Sequence, residues 1–278
     1  MQRCLAPIVL GLPAFNEAPN IDPLFARIAR VRARVMPNLS VLLYDDGSRD
    51  GTAARARAWH GRDGLCVRVI GLAENRGLGT ALLRLLEDFA GPACGGQPGA
   101  AALALMDCDD TMDPLQLPRM WRLLANHQRD LVVASRYRPG ATISGVPLHR
   151  LALSQLAAFL FKSLHPVGGV RDYSCGYRLY RRALLQHAFA RWGAELVAQR
   201  GFASMVEVLL KLAHLGARCA EVPLRLRYEQ KRGASKMAVS DNATRLLRLA
   251  WRWREHGLNP PAAQGGPSSR SAAAGSPS

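Results

Sequence analysis

The chain has 278 residues, 49% of them apolar, and 37 Lys and Arg against 21 Asp and Glu give a formal net charge of +16. That length and polarity allow one sizeable core, which excludes a disordered or fibrous class, and no uncharged apolar run is long enough to predict a transmembrane helix. The charge favours polyanionic partners (nucleic acid, an anionic membrane surface or phosphorylated small molecules) without choosing among them.

In chain order, MQRCLAPIVLGLPAFNE has too short an apolar stretch for a signal peptide, and its IVLGLP segment reads as a strand over 8–13. Further buried strands are expected over 39–46, 65–72, 101–109 and 130–135, with helical patterns over 20–35, 52–60, 78–90 and 114–127 between them. Alternating strands and helices predict an α/β fold with a mostly parallel sheet covered on both faces, and a ligand crevice beyond the strands' carboxyl ends. GPACGGQPG (91–99) is a Gly/Pro loop, and beyond residue 140 the regular alternation stops. A basic helical pattern with Trp251 and Trp253 occupies 238–258, where it either covers the domain or docks on a membrane, and 259–278 is a low-complexity tail expected to be disordered.

Six cysteines, at 4, 66, 94, 108, 175 and 219, form no CxxC pair or zinc spacing, which suits the reduced thiols of a cytosolic protein. The seven histidines form no HxxxH or HExxH pair. GLGTAL (77–82) lacks the third glycine of a dinucleotide fingerprint, and there is no GxxxxGK[ST] loop.

The chemistry gathers at the strand ends. In ALALMDCDDTMDP four aspartates (107, 109, 110 and 113) fall within seven positions directly after an apolar run. Strand alternation would put Asp107 and Asp109 on one face and Asp110 on the other. Adjacent carboxylates repel, unless a hard divalent cation lies between them and bridges to phosphate oxygens. A second acidic group, Asp45-Asp46-Gly47-Ser48, follows the 39–46 strand; there Asp46, Ser48 and Asp50 either cap neighbouring backbone or contact a ligand.

Seven segments in order then carry a resemblance: LPAFNEAPNI, YDDGSRDGT, NRGLGTAL, DCDDTMDP, ASRY, RDYSCGYRLYRR and GASKM. From about residue 8 to about residue 237 the chain resembles the family-2 glycosyltransferases of GT-A fold, most closely the dolichyl- or polyprenyl-phosphate mannose synthase branch. The resemblance implies a catalytic domain over 1–237 and an inverting transfer of a hexose, mannose or glucose, from a nucleotide diphosphate sugar such as GDP-mannose or UDP-glucose to a polyprenyl phosphate. It implies that Pro13, Phe15, Glu17, Leu43 and Asp45 line the nucleoside pocket. Asp107, Cys108 and Asp109 would hold the sugar diphosphate, with Asp107 and Asp109 ligating Mg²⁺ or Mn²⁺ and Asp109 serving catalysis. Arg136 would reach a phosphate as a second catalytic group, Gln230 and Lys236 would close over the donor, and Arg150 and Ser154 would face the acceptor phosphate.

Three positions depart from the family pattern: Phe15 stands for the usual Tyr, Thr111 for Gln, and Gln230 for Arg, beside Lys231 and Arg232. No ED pair followed by QxxRW is present, which favours an anionic acceptor over a hydroxyl that would need a general base. The alternatives are a family-2 enzyme acting on a hydroxyl and a nucleotidyltransferase, though the basic Gly-rich loop of the latter is missing after the first strand. Nucleic acid is not an expected partner, because binding it would leave the acidic crevice unexplained. Localisation is expected to be cytoplasmic, peripheral on the cytoplasmic membrane face.

Overall fold

Residues 7–146, 155 and 159–230 are described by the computed structural model. Arg150, Ser154, Lys231, Arg232, Lys236 and the 238–258 and 259–278 segments lie outside these residues.

Four near-continuous apolar runs form the parallel half of the sheet: β1 (Ile8–Ala14), β2 (Leu39–Asp46), β3 (Cys66–Leu72) and β4 (Ala102–Leu105). Such runs suit strands covered on both faces, and every residue of β4 is buried. The intervening helices are α1 (Ala18–Val35), α2 (Thr52–Arg57) and α3 (Leu78–Ala90). On α1 the buried Ile21, Leu24, Phe25, Ile28, Val31 and Val35 recur at helical spacing, and on α3 Ala81, Leu82, Leu85, Leu86 and Phe89 do the same.

After α4 (Leu117–Asn126) come β5 (Leu131–Ser135) and β6 (Thr142–Ser144). They are followed by β7 (Arg178–Arg181), α5 (Arg182–Trp192), α6 (Ala203–His214), β8 (Cys219–Pro223) and β9 (Arg225–Arg227). The seven-stranded sheet has the order β3-β2-β1-β4-β7-β5-β8, and β6 pairs with β9 in a separate ribbon. Among the described strands of the large sheet only β7 runs antiparallel, against both β4 and β5. The described residues beyond 140 include four strands, each three to five residues long and too short for a periodic signal.

One expected element is much shorter than its apolar run. The strand expected over 101–109 ends at Leu105. Asp107 and Asp109 therefore stand on irregular backbone, and alternation does not fix their faces. Asp110 adopts φ 59°, a left-handed conformation that turns the chain sharply.

Candidate active site

β1 and β4 pair from Ile8↔Ala102 to Gly11↔Leu105, and Met106 N donates to Gly11 O at 3.2 Å. β1 continues along β2 to Ala14↔Asp45, whereas β4 has ended. The strand order reverses direction around β1, between β1 and β4, the place where open α/β sheets bind ligands in a crevice.

One wall is the Phe15–Ala18 entry to α1, and the turn after β2 braces it. Asn16 N donates to Ser48 Oγ at 2.8 Å, Glu17 N to Thr52 Oγ1 at 2.8 Å and Ala18 N to Asp50 Oδ2 at 3.0 Å. In return Arg49 N donates to Asn16 Oδ1 at 2.9 Å. These side chains take over N–H groups that the first turn of a helix cannot satisfy itself. Asp50 Oδ1 also accepts from Thr52 N, at 3.0 Å, and from Thr52 Oγ1. Burial works to raise the Asp50 carboxyl pKa, but these bonds more than offset it and hold the group below its ordinary value.

Asp46 accepts from Arg76 N at 2.9 Å and Gly77 N at 2.7 Å, fastening β2 to the start of α3. Gly47 must be glycine for the turn: its φ is 76° and a Cβ would stand 2.7 Å from the Glu74 carbonyl carbon. Of the two readings open for Asp46, Ser48 and Asp50, the backbone-bracing one describes what their side chains do. Asp45 Oδ1 accepts from Ser48 N at 3.1 Å, and the residue is partly exposed, as are Pro13, Phe15 and Glu17. Leu43 has no exposed surface.

The four aspartates of the opposite wall divide into two pairs. Arg27 of α1 reaches Asp110 Oδ1 at 2.6 Å and Asp113 Oδ1 at 3.0 Å. It also donates to the backbone oxygens of Asp110 and Met112, at 3.2 and 3.4 Å, and to Gln230 Oε1 at 3.3 Å. Asp113 in addition accepts from Leu115 N at 3.1 Å, capping the turn that leads into α4. Asp110 and Asp113 are thus structural anions that share Arg27, with Arg227 as a further cation 3.7 Å from Asp113. Asp109 is 8% exposed and its Oδ1 accepts from Thr111 N and Oγ1, at 3.2 and 2.7 Å, which sets the carboxylate's rotamer. Asp107 is partly exposed, and Cys108 between them is buried, so any ligand contact by Cys108 would use its backbone.

Asp107 and Asp109 fit a hard divalent cation: both offer carboxylate oxygens from one short loop. Among the described residues no third His, Cys, Asp or Glu joins them to make a closed site. Two carboxylates with the remaining positions left to water and phosphate oxygens is the usual arrangement for Mg²⁺.

Arg136 follows β5 directly, and its guanidinium meets a buried partner. Nε donates to Asp172 Oδ2 at 2.8 Å, Nη2 to Asp172 Oδ1 at 2.7 Å, and Nη2 also to Ser174 Oγ at 2.7 Å. Burial opposes charge on both groups, yet their mutual attraction prevails, raising the Arg136 pKa and lowering that of Asp172. Just beyond this pair, a Cβ on Gly176 would stand 3.3 Å from Asp107 Oδ1. The 172–176 segment therefore touches both sequence-expected groups.

Arg27 and Asp172 escaped the sequence reading. Asp172 lies within a quoted motif, whereas Arg27 shows only as a basic residue one position from the apolar stripe of α1.

Comparison with known proteins gives the family and the fold. Residues 10–189 match the family described as glycosyl transferase family 2. Polyprenol monophosphomannose synthase of Mycolicibacterium smegmatis is 30% identical over 239 residues, covering 86% of this chain and 84% of the relative. Undecaprenyl-phosphate mannosyltransferase of Micrococcus luteus is 32% identical over 247 residues, covering 87% of this chain and 94% of the relative. Among solved structures, glucosyl-3-phosphoglycerate synthase from Mycobacterium tuberculosis, in complex with Mn²⁺, UDP and glucosyl-3-phosphoglycerate, superposes with a TM-score of 0.60 at 21% identity, over 93% of this chain and 82% of that one. That likeness identifies the GT-A fold.

Proposed function

The chain belongs to glycosyl transferase family 2, and on that premise we propose that this glycosyltransferase moves a hexosyl group from a nucleotide diphosphate sugar to a polyprenyl phosphate. The observation that supports the reading is the family match over residues 10–189, with Asp107 and Asp109 on the loop that follows β4, at the reversal of strand order. The two relatives named for mannosyl transfer to lipid phosphates support the acceptor class and favour GDP-mannose as donor, with UDP-glucose as the second candidate.

In this reading Pro13, Phe15 and Glu17 receive the nucleoside, with Phe15 offering a stacking face, and Asp45 stands at the floor. Asp107 and Asp109 hold Mg²⁺ or Mn²⁺, which when bound supplies positive charge to the leaving diphosphate. Arg136 presents an N–H to the same phosphates, and Lys236 with Lys231 and Arg232 adds charge from the C-terminal side. A phosphate oxygen of the acceptor attacks the anomeric carbon as the bond to the diphosphate oxygen breaks, so configuration inverts. The acceptor oxygen is already anionic and no proton has to be removed, in contrast to a hydroxyl acceptor. Arg150 and Ser154 orient that anion.

A lipid acceptor requires contact with a membrane surface. No helix among the described residues is long and apolar enough to cross one. Peripheral docking through the net charge of +16 and the basic, Trp-bearing 238–258 segment meets the need.

The test offers a panel of nucleotide sugars with Mg²⁺ or Mn²⁺ to a short polyprenyl phosphate, to the dephosphorylated alcohol and to simple saccharides. A polyprenyl-phosphate hexose is the expected product. Efficient transfer to the alcohol or a saccharide, with none to the phosphate, would overturn the acceptor class.

A further inference from the structure

Asp172 has no exposed surface, yet four donors converge on its carboxylate. Oδ2 accepts from Arg136 N at 2.9 Å and Arg136 Nε at 2.8 Å, and Oδ1 from Arg136 Nη2 at 2.7 Å and Cys175 N at 3.1 Å. The Nε/Nη2 fork is the bidentate geometry that restricts a guanidinium to one orientation. Asp172 is itself held from the edge of the sheet. Glu221, 7% exposed, accepts from Arg171 N at 2.6 Å and Asp172 N at 2.8 Å with a single oxygen, Oε1. Glu221 belongs to β8 and lies in register with Val133 of β5, the strand that carries Arg136 at its end. One chain of contacts thus runs from the edge strand through Asp172 to Arg136, and Nη1 is the guanidinium nitrogen this network does not use.

We infer that Asp172 and Glu221 are positioning residues for glycosyl transfer, fixing the rotamer of Arg136 so that Nη1 is delivered to the donor diphosphate. The inference rests on the reading above, in which Arg136 faces that diphosphate. A buried carboxylate paired with Arg136 largely cancels its net charge. What remains useful is a directed N–H whose orientation is set before substrate arrives, the form in which electrostatic stabilisation is most effective. A free lysine at the same place would supply more charge and less direction.

The test is a double-mutant cycle on the full chain with Asp172→Asn and Arg136→Ala, reading kcat, the KM for the nucleotide sugar, affinity for the nucleoside diphosphate with Mg²⁺ by calorimetry, and thermal midpoint. Asp172→Asn should lower kcat/KM about tenfold or more in the wild-type background. It should add less than about twofold in the Arg136→Ala background, because a residue acting through another shows no independent effect. The nitrogen-15 Nε–H resonance of Arg136 should lose its protection from exchange in Asp172→Asn. Glu221→Gln, which keeps an acceptor oxygen, should act in the same direction by about two- to fivefold. Should Asp172→Asn fail to fold, Ser174→Ala removes only the hydroxyl that accepts from Nη2 and enters the same cycle. Kinetics and diphosphate affinity within twofold of wild type, or losses that multiply fully with those of Arg136→Ala, would overturn the inference. A wild-type protein that binds no nucleoside diphosphate and transfers no sugar would instead overturn the functional reading, whatever the Arg136 resonance shows.

Discussion

Replacing Arg27 by methionine isolates the structural half of the acidic loop. The side chain that Arg27→Met removes reaches Asp110 at 2.6 Å and Asp113 at 3.0 Å, and those two residues are 7% and 6% exposed. Breaking a buried pair from one side strands the other charge, at a cost of about 3–5 kcal/mol. Arg227, 3.7 Å from Asp113, remains to soften the loss, so the lower end, about 3 kcal/mol, is expected. For a domain of this size that is a fall in melting temperature of roughly 6–12 °C. Asp110→Asn and Asp113→Asn added to Arg27→Met should recover a large part of it, since neutral amides in the same positions leave no stranded charge. Guanidinium unfolding at pH 7, followed by far-ultraviolet circular dichroism, measures both quantities. A single variant within about 1 kcal/mol of wild type, or a triple variant no better than the single one, would refute the reasoning.

Gly176→Ala places a methyl 3.3 Å from Asp107 Oδ1 and 3.6 Å from Met205 Cε, and displacing the carboxylate by a few tenths of an ångström should weaken apparent metal affinity about three- to tenfold. A metal titration of turnover indistinguishable from wild type would contradict this. Burial pushes the Cys175 thiol up to about 12 and the Cys219 thiol up to about 11, whereas Cys66 is exposed. Peptide-level mapping after brief alkylation of the native protein at pH 8 should therefore find Cys66 modified and Cys175 and Cys219 intact. Asp50, Asp130 and Asp172 all have carboxyl pKa values lowered by folding, so the unfolded chain binds more protons in the window just below the ordinary carboxyl value of about 3.9. Their contribution is complete above that value and is lost as pH falls through the folded values. Denaturation midpoints should hold between pH 7 and 5 and fall below about 4, and a midpoint that rises from pH 5 to 3 would be the contrary result.

The parallel half of the fold was legible because buried parallel strands and amphipathic helices write long, regular apolar patterns. The expected strands at 8–13, 39–46, 65–72 and 130–135 match β1, β2, β3 and β5 within a residue at each end. The pattern failed at 101–109, where Met106 and Cys108 stay buried on irregular backbone and prolong the apolar signal past the strand end at Leu105. It was silent on β7, whose antiparallel insertion between β4 and β5 is a matter of topology and not of composition.

At the site, the residue types and their places at strand ends could be read, and the partition of labour could not. The Arg27 pairings span 83 and 86 positions and that of Arg136 with Asp172 spans 36, separations over which no local periodicity carries information. For the same reason the sequence left Ser48 and Asp50 open between capping and ligand contact, since their acceptors serve Asn16 and Ala18 more than thirty residues away.

The central claim is that two of the four aspartates serve the chemistry and two serve the fold, and paired measurements on the same four variants test it. Asp107→Asn and Asp109→Asn should abolish transfer of labelled hexose to polyprenyl phosphate in saturating Mg²⁺ or Mn²⁺ while melting within a few degrees of wild type. Asp110→Asn and Asp113→Asn should lower the melting temperature and keep measurable transfer per folded molecule. Near-normal turnover in both Asp107→Asn and Asp109→Asn would contradict the account.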